Sequence, residues 1–297
     1  MMQDWLGAGF MPSIILFTIS FAALVIGSIT DLKTREVPDW VNYGLVLSGL
    51  GLNLLFSIIY SNHSFIINSI IGLAIFFGIA YIMFYAGQWG GGDSKMLMGL
   101  GAMVGIDVSS FTSQFLFGFF INALFVGALY GLFWSFYLVL KSRKKFWIQF
   151  TKALSEKNTV KIKKSLLAFL VLFLALFLLT GMHFKIFILS LAFLALSTFY
   201  LWIFVKSVEK TCMHKLVEPS KLTEGDWIVN DIRVKGKYIT GPKDLGISKS
   251  QIKKLVELYK KRKVRKILIK EGIPFVPSFL IAFVVTLFFG NPLILWI

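Results

Sequence analysis

The sequence predicts an all-α polytopic membrane protein of about eight transmembrane helices, with a small cytoplasmic α+β domain before the last helix. Three observations predict it. Hydrophobic residues make up 57% of the 297, with 31 Phe, 8 Trp and a mean hydropathy of +0.76, against roughly 45–50% apolar in a soluble domain. The apolar residues come in long unbroken runs. The basic residues are gathered into a few stretches between those runs.

The runs lie near Pro12–Thr30, Val41–Tyr60, Phe65–Ala86, Met96–Ile106, Phe115–Leu140, Leu166–Gly181, Phe184–Val205 and Val276–Ile297. Most approach the ~20 residues needed to cross ~30 Å of hydrocarbon. The fourth does not. Loop charge orients the set. Two Lys or Arg fall in Asp31–Trp40, one in Gly87–Lys95, nine in Lys141–Ser165 and eighteen in Lys206–Phe275, leaving Lys185 alone elsewhere. Eight crossings put all four basic loops on one side, as the positive-inside rule requires, and place both termini outside. Removing the short fourth crossing would move Lys141–Ser165 to the opposite side from Asp31–Trp40, so loop parity supports it. Met1–Thr30 carries no Lys or Arg and so lacks the basic start of a secretory signal. The single cysteine, Cys212, excludes an internal disulfide and a four-cysteine zinc site.

Chemistry concentrates in Gly90-Gly91-Gly92-Asp93-Ser94-Lys95. Glycines admit close backbone approach, and a carboxylate in apolar surroundings is expensive enough to be read as functional, with a partner to be named. That partner is Asp31, which abuts the first apolar run. The topology puts Asp31 and Asp93 at the same membrane face. Counted from Asp93 to Ile106, the fourth helix has roughly 14 residues, or ~21 Å at 1.5 Å per residue, so its start is expected below the membrane surface. Non-helical backbone at that depth needs protein or a wet cavity around it. Two carboxylates in a wet pocket suit aspartic proteolysis: the pair shares one proton, the ionised member activates water, and the protonated member polarises the scissile carbonyl. No metal and no cofactor is expected.

Gly90–Lys95, followed by Met96-Leu97, Gly101-Ala102 and Gly105, resembles the GxGD motif of the type IV prepilin peptidase family. Asp31-Leu32-Lys33-Thr34-Arg35-Glu36-Val37-Pro38-Asp39 is similar to that family's first-aspartate motif, an Asp followed seven residues later by a Pro. The likeness is close over about Phe21–Gly105. It implies a membrane aspartic endopeptidase, with Asp31 and Asp93 as the catalytic pair, that removes the short basic leader of prepilin-like or preflagellin (archaellin) precursors. Its partners would be precursors carrying class III signal peptides. Bacterial members carry a four-cysteine zinc module and N-methylate the new terminus. The missing cysteines argue against methylation here and for an archaeal-type enzyme.

Around the pair, Gly90, Gly91, Gly92 and Lys95 are expected to support the motif. Glu36 and Asp39 are candidates for recognising the basic leader. Lys33, Arg35 and Lys95 are read as meeting anionic lipid headgroups or tuning the Asp pair, with a plain topology signal as the alternative to a catalytic role. Two alternatives stand beside the peptidase. Presenilin-like proteases also use GxGD, but pair it with a Tyr-Asp in the preceding span, whereas Asp31 follows Thr30 two spans earlier. Ion-coupled transporters often show internal repeats, and no second Gly-rich break matches the first. The pattern ending in Gly-Lys-Ser/Thr that marks a phosphate loop is absent, and His63, His183 and His214 are too scattered for a metal cluster.

The expected partition is 1–140 for a catalytic membrane core and 141–165 for a solvated basic connector. Two further spans fill 166–205, the α+β domain 206–275, and the last span 276–297. Within 206–275, Ile228–Val234 and Lys237–Thr240 read as a hairpin. Ser248 with Gln251 reads as a capping box, opening a helix with an Ile252, Leu255, Val256, Tyr259 stripe, and Val264–Ile269 as a strand. Its basic face is expected on anionic lipid. Nothing beyond charge points to nucleic acid.

Overall fold

A computed structural model describes residues 10–107, 115–234 and 236–291. The helices are α1 (Phe10–Thr34), α2 (Asp39–Ile59), α3 (Ser64–Tyr85), α4 (Gly91–Val104), α5 (Phe115–Lys141), α6 (Arg143–Leu154), α7 (Lys157–Leu179), α8 (Met182–Val208), α9 (Lys249–Lys260) and α10 (Val276–Phe289). Six of them (α1, α2, α3, α5, α7 and α8) are long and apolar enough to cross a membrane, which makes this a multi-pass membrane protein. The expected count of eight is not reached by length: α4 and α10 have 14 residues each. The end of the expected last span, 292–297, lies outside the described residues, as do both termini.

The chain divides into two compact units, residues 1–133 with 272–297, and residues 134–271. Helix α10 is thus grouped with residues 1–133.

In the first unit, α4 is packed between α2 and α3 through glycine. A Cβ on Gly49 would lie 2.7 Å from the backbone of Ala102 and Met103, and one on Gly101 would lie 2.5 Å from the Gly72 carbonyl oxygen. Small residues let helices approach closely where lipid supplies no hydrophobic drive between them. Helix α4 ends inside the unit, so its last carbonyls need donors. Asn53 on α2 donates to Met103 O at 3.1 Å, and the Ser69 hydroxyl on α3 donates to Ala102 O. The chain then leaves through an Ile106 N–H bond to Asn68 O of 2.9 Å. Helix α10 packs on α1 and α5 by aromatic contact: the Phe283 ring lies 5.0 Å from Phe115 and 5.8 Å from Phe17. The Asn122 amide caps its far end, donating to Thr286 Oγ1 and Gly290 O at 3.0 Å each.

In the second unit, the stretch expected as a solvated connector is helical. Helix α6 occupies Arg143–Leu154, and α7 begins at Lys157. The reason is an aromatic face hidden among the lysines. Phe146 is 3% exposed, stacks on Phe150 one turn later and sits edge-on to Phe204 of α8 at 5.6 Å. Glu156, ahead of α7, accepts from Lys206 and from Lys210, and these bonds hold its carboxyl below the ordinary value.

The expected α+β region follows. Strands β1 (His214–Val217), β5 (Ile267–Lys270) and β2 (Trp227–Ile228) form an antiparallel sheet in the order β1-β5-β2, and β3 (Ile232–Val234) pairs with β4 (Lys237–Thr240) as a hairpin. Ile228–Val234 is thus two strands rather than one, because Ile228 turns inward opposite Ile269. The Ser248 capping box forms: Ser248 N–H donates to Gln251 Oε1 at 2.8 Å, and Gln251 N–H to Ser248 Oγ at 3.3 Å. Leu255 of α9 is fully buried with Ile228, Ile239, Ile247, Ile267 and Ile269.

Candidate active site

Asp31 and Asp93 belong to the first unit, and each is held by a different device. Asp31 sits in the last turn of α1 and is 6% exposed. Its Oδ2 accepts the backbone N–H of Val276 at 3.0 Å, the first residue of α10. Asp93 is the third residue of α4 and half-buried. Its Oδ2 accepts the N–H of Gly90 at 2.9 Å, across its own helix start. Glycine has no side chain to return that bond, so only the reverse half of a capping box forms. A carboxylate in a first helical turn also suits the positive end of the helix dipole.

The elements that bear the two carboxyls meet in this unit. The contacts around them explain why. A Cβ on Gly27, one turn before Asp31, would meet Met96 Cε at 2.6 Å and Val276 Cγ1 at 3.2 Å, so α1, α4 and α10 converge there. On the other side, a Cβ on Gly92 would lie 3.3 Å from Val37 Cβ. The turn after Asp31 therefore rests against the backbone before Asp93, with little room for a side chain between them. A Cβ on Gly90 would meet Asp93 Oδ2 at 3.2 Å, which ties the first glycine of the motif to the carboxylate. Gly91 has space, its nearest neighbour being Phe84 at 3.9 Å.

The other candidate residues separate. Lys95 Nζ pairs with Asp39 Oδ1 at 2.6 Å and lies 5.2 Å from the centre of the Tyr43 ring, joining the starts of α2 and α4. Asp39, expected as a recognition group, is thus already neutralised by a cation of its own chain. Glu36 is exposed. Arg35 takes up a left-handed backbone (φ 63°), donates its N–H to Asp31 O at 2.9 Å and its Nη1 to Gly272 O at 3.0 Å. Its side chain is thus bonded within its own chain. Among the described residues no group of three or more His, Cys, Asp or Glu side chains could hold a metal ion.

Nothing in the sequence marks Val276 as the donor to Asp31, because a backbone N–H carries no residue signature. Nor did it single out Trp89, which is 5% exposed and packs on Phe275 at 6.1 Å and Phe279 at 5.3 Å. The two prolines at 274 and 277 mark this lead-in as constrained backbone, and that was the available signal.

With this geometry in view, comparison with known proteins is informative. Residues 14–132, which include both aspartates, match the type IV leader peptidase family. Preflagellin peptidase of Methanocaldococcus jannaschii is 41% identical over 88 residues, 30% of this chain and 37% of that protein. The preflagellin peptidases of Methanococcus maripaludis and Methanococcus voltae are each 41% identical as well, over 88 and 90 residues and 38% of their lengths. The chain therefore matches little more than a third of the length of these relatives. Over residues 14–132 the chain is thus similar to the type IV leader peptidase family.

Proposed function

We propose that the protein is a membrane aspartic endopeptidase that removes the short basic leader from prepilin-like or preflagellin precursors, with Asp31 and Asp93 as its acid–base pair. The observation that carries this reading is the convergence of the two helix ends: both carboxyls lie in one unit, with Gly27 of α1 against Met96 of α4 and Gly92 of α4 against Val37, inside the segment that matches the family. Like charges at close range do not both ionise, so the pair holds one proton near neutral pH. The ionised carboxylate takes a proton from water, whose oxygen attacks the scissile carbonyl carbon. The protonated carboxyl donates to the carbonyl oxygen. Collapse of the tetrahedral intermediate breaks the C–N bond and passes a proton to the leaving amine.

In this reading α4 and α10 are short crossings, which completes eight. The basic loops and the dyad face the cytoplasm, and both termini lie outside. Exposed Glu36 meets the basic leader first, and Asp39 does so only where Lys95 yields it. The basic surface of residues 206–275 rests on anionic lipid. No N-methylation accompanies cleavage.

The test is co-expression of the full chain with a tagged precursor carrying a class III signal peptide. The wild type shortens the precursor, and Asp31→Asn and Asp93→Asn do not. Processing by either variant at the wild-type rate would remove the dyad from the mechanism.

A further inference from the structure

The lead-in to α10, residues 272–275, is neither helix nor strand, yet it touches both halves of the site. Val276 N–H binds the Asp31 carboxylate at 3.0 Å. The Phe275 ring packs on Trp89, the residue before Gly90. Irregular backbone does not hold such a position unaided, and the structure shows what fastens it: Arg35 Nη1 donates to Gly272 O at 3.0 Å. Arg35 also closes the end of α1 through its own N–H, at 2.9 Å from Asp31 O. The bonds form a ring, from Asp31 through Arg35 and Gly272 to Val276 and back to Asp31. A residue capping a helix in the left-handed region would ordinarily be glycine. A side chain kept at φ 63° is held there only if its surroundings over-determine it, and here the side chain reaches a carbonyl that glycine could not.

We propose that Arg35 is a positioning residue for the reaction: by tying Gly272 to the end of α1 it presents the Val276 N–H to Asp31, and so sets that carboxylate relative to Asp93. The inference rests on the peptidase reading. Displacing a reacting group by about 1 Å can cost roughly 10²-fold in rate, so the tie governs turnover more than substrate binding.

The test uses the purified full chain in proteoliposomes, with a prepilin-like precursor as substrate. Arg35→Gln, Arg35→Lys and Arg35→Gly are compared with Lys33→Gln, which removes an exposed charge from the last turn of α1. Arg35→Gln and Arg35→Gly are expected to lose about 10²-fold in kcat with KM within roughly threefold, even though glycine relieves the backbone. Arg35→Lys, which keeps a long donor, recovers most of the rate, and Lys33→Gln behaves as wild type. In parallel, hydrogen exchange over residues 272–276 is read on the protein without substrate. It is expected to be roughly tenfold faster in Arg35→Gln and unchanged in Lys33→Gln. Wild-type kcat in Arg35→Gln, or lost turnover with no change in exchange, overturns the positioning role. If the wild-type protein cleaves no precursor, the peptidase reading fails, while the exchange measurement still decides whether Arg35 holds the lead-in.

Discussion

Asp31 and Asp93 are held by opposite kinds of support. Asp93 is fixed by its own neighbourhood: a glycine three residues upstream donates to it, and the first turn of α4 does the rest. Asp31 is fixed from far away, by a backbone N–H 245 residues along the chain and an arginine that fastens the segment bearing it. Local support forms whenever the helix forms. Distant support can be lost while every helix stays intact, so the Asp31 half is the one that substitutions elsewhere should disturb.

The largest expected effect comes from the carboxyls themselves. Asp31→Asn and Asp93→Asn should each lower leader removal by about 10²–10⁴-fold, the range of general acid–base contributions, and a cleavage time course checks this. Next is Gly92→Ile. Its side chain would drive into Val37, already 3.3 Å from the position of a first carbon, pushing the two halves apart. Processing should fall about 10²-fold while helical circular dichroism is retained. Trp89→Ala separates the two kinds of support. Trp89 adjoins the Asp93 motif in sequence but packs on the lead-in to α10. Its loss should destabilise the first unit by about 3–5 kcal/mol, and hydrogen exchange should rise over 272–279 more than over 90–96. The reverse pattern would mean that Trp89 serves only its sequence neighbours.

Smaller effects lie further out. Asp39→Asn breaks a partly exposed ion pair with Lys95 and should cost no more than about 1 kcal/mol in denaturant unfolding, with cleavage altered only a few-fold. In the other unit, the Glu156 carboxyl is held below its ordinary value by Lys206 and then Lys210. A depressed carboxylate contributes stability above its unfolded pKa and loses it as pH falls through the folded one. Limited proteolysis between α6 and α7 should therefore quicken only below the ordinary carboxylate range, and Glu156→Gln should remove that dependence.

Much of this was legible in the residues. Most helices follow the apolar runs to within about five residues at each end, but α7 begins at Lys157, well before the expected Leu166, because its first turns are basic. The short α4, its glycines and both aspartates stand out because charge and glycine are rare within apolar sequence. The Ser248–Gln251 capping box is likewise a local signature, and it formed as expected. The rest depended on contacts that no short window contains. The Lys95–Asp39 pair and the Val276–Asp31 bond join residues that helix packing alone brings together. Helix α6 was hidden because nine basic residues masked the spacing of Phe146 and Phe150. Strand β2 was merged with β3 because pairing with β5 is a matter of topology, not of composition.

The central claim is that Asp31 and Asp93 act as one unit, and a double-variant cycle on leader cleavage by the full chain in proteoliposomes tests it most directly. Groups that share one catalytic task are strongly non-additive. Asp31→Asn, Asp93→Asn and the double variant should all fall to about the same residual rate. A double variant whose loss is the product of the two single losses, or a single variant that cleaves at the wild-type rate, would contradict it.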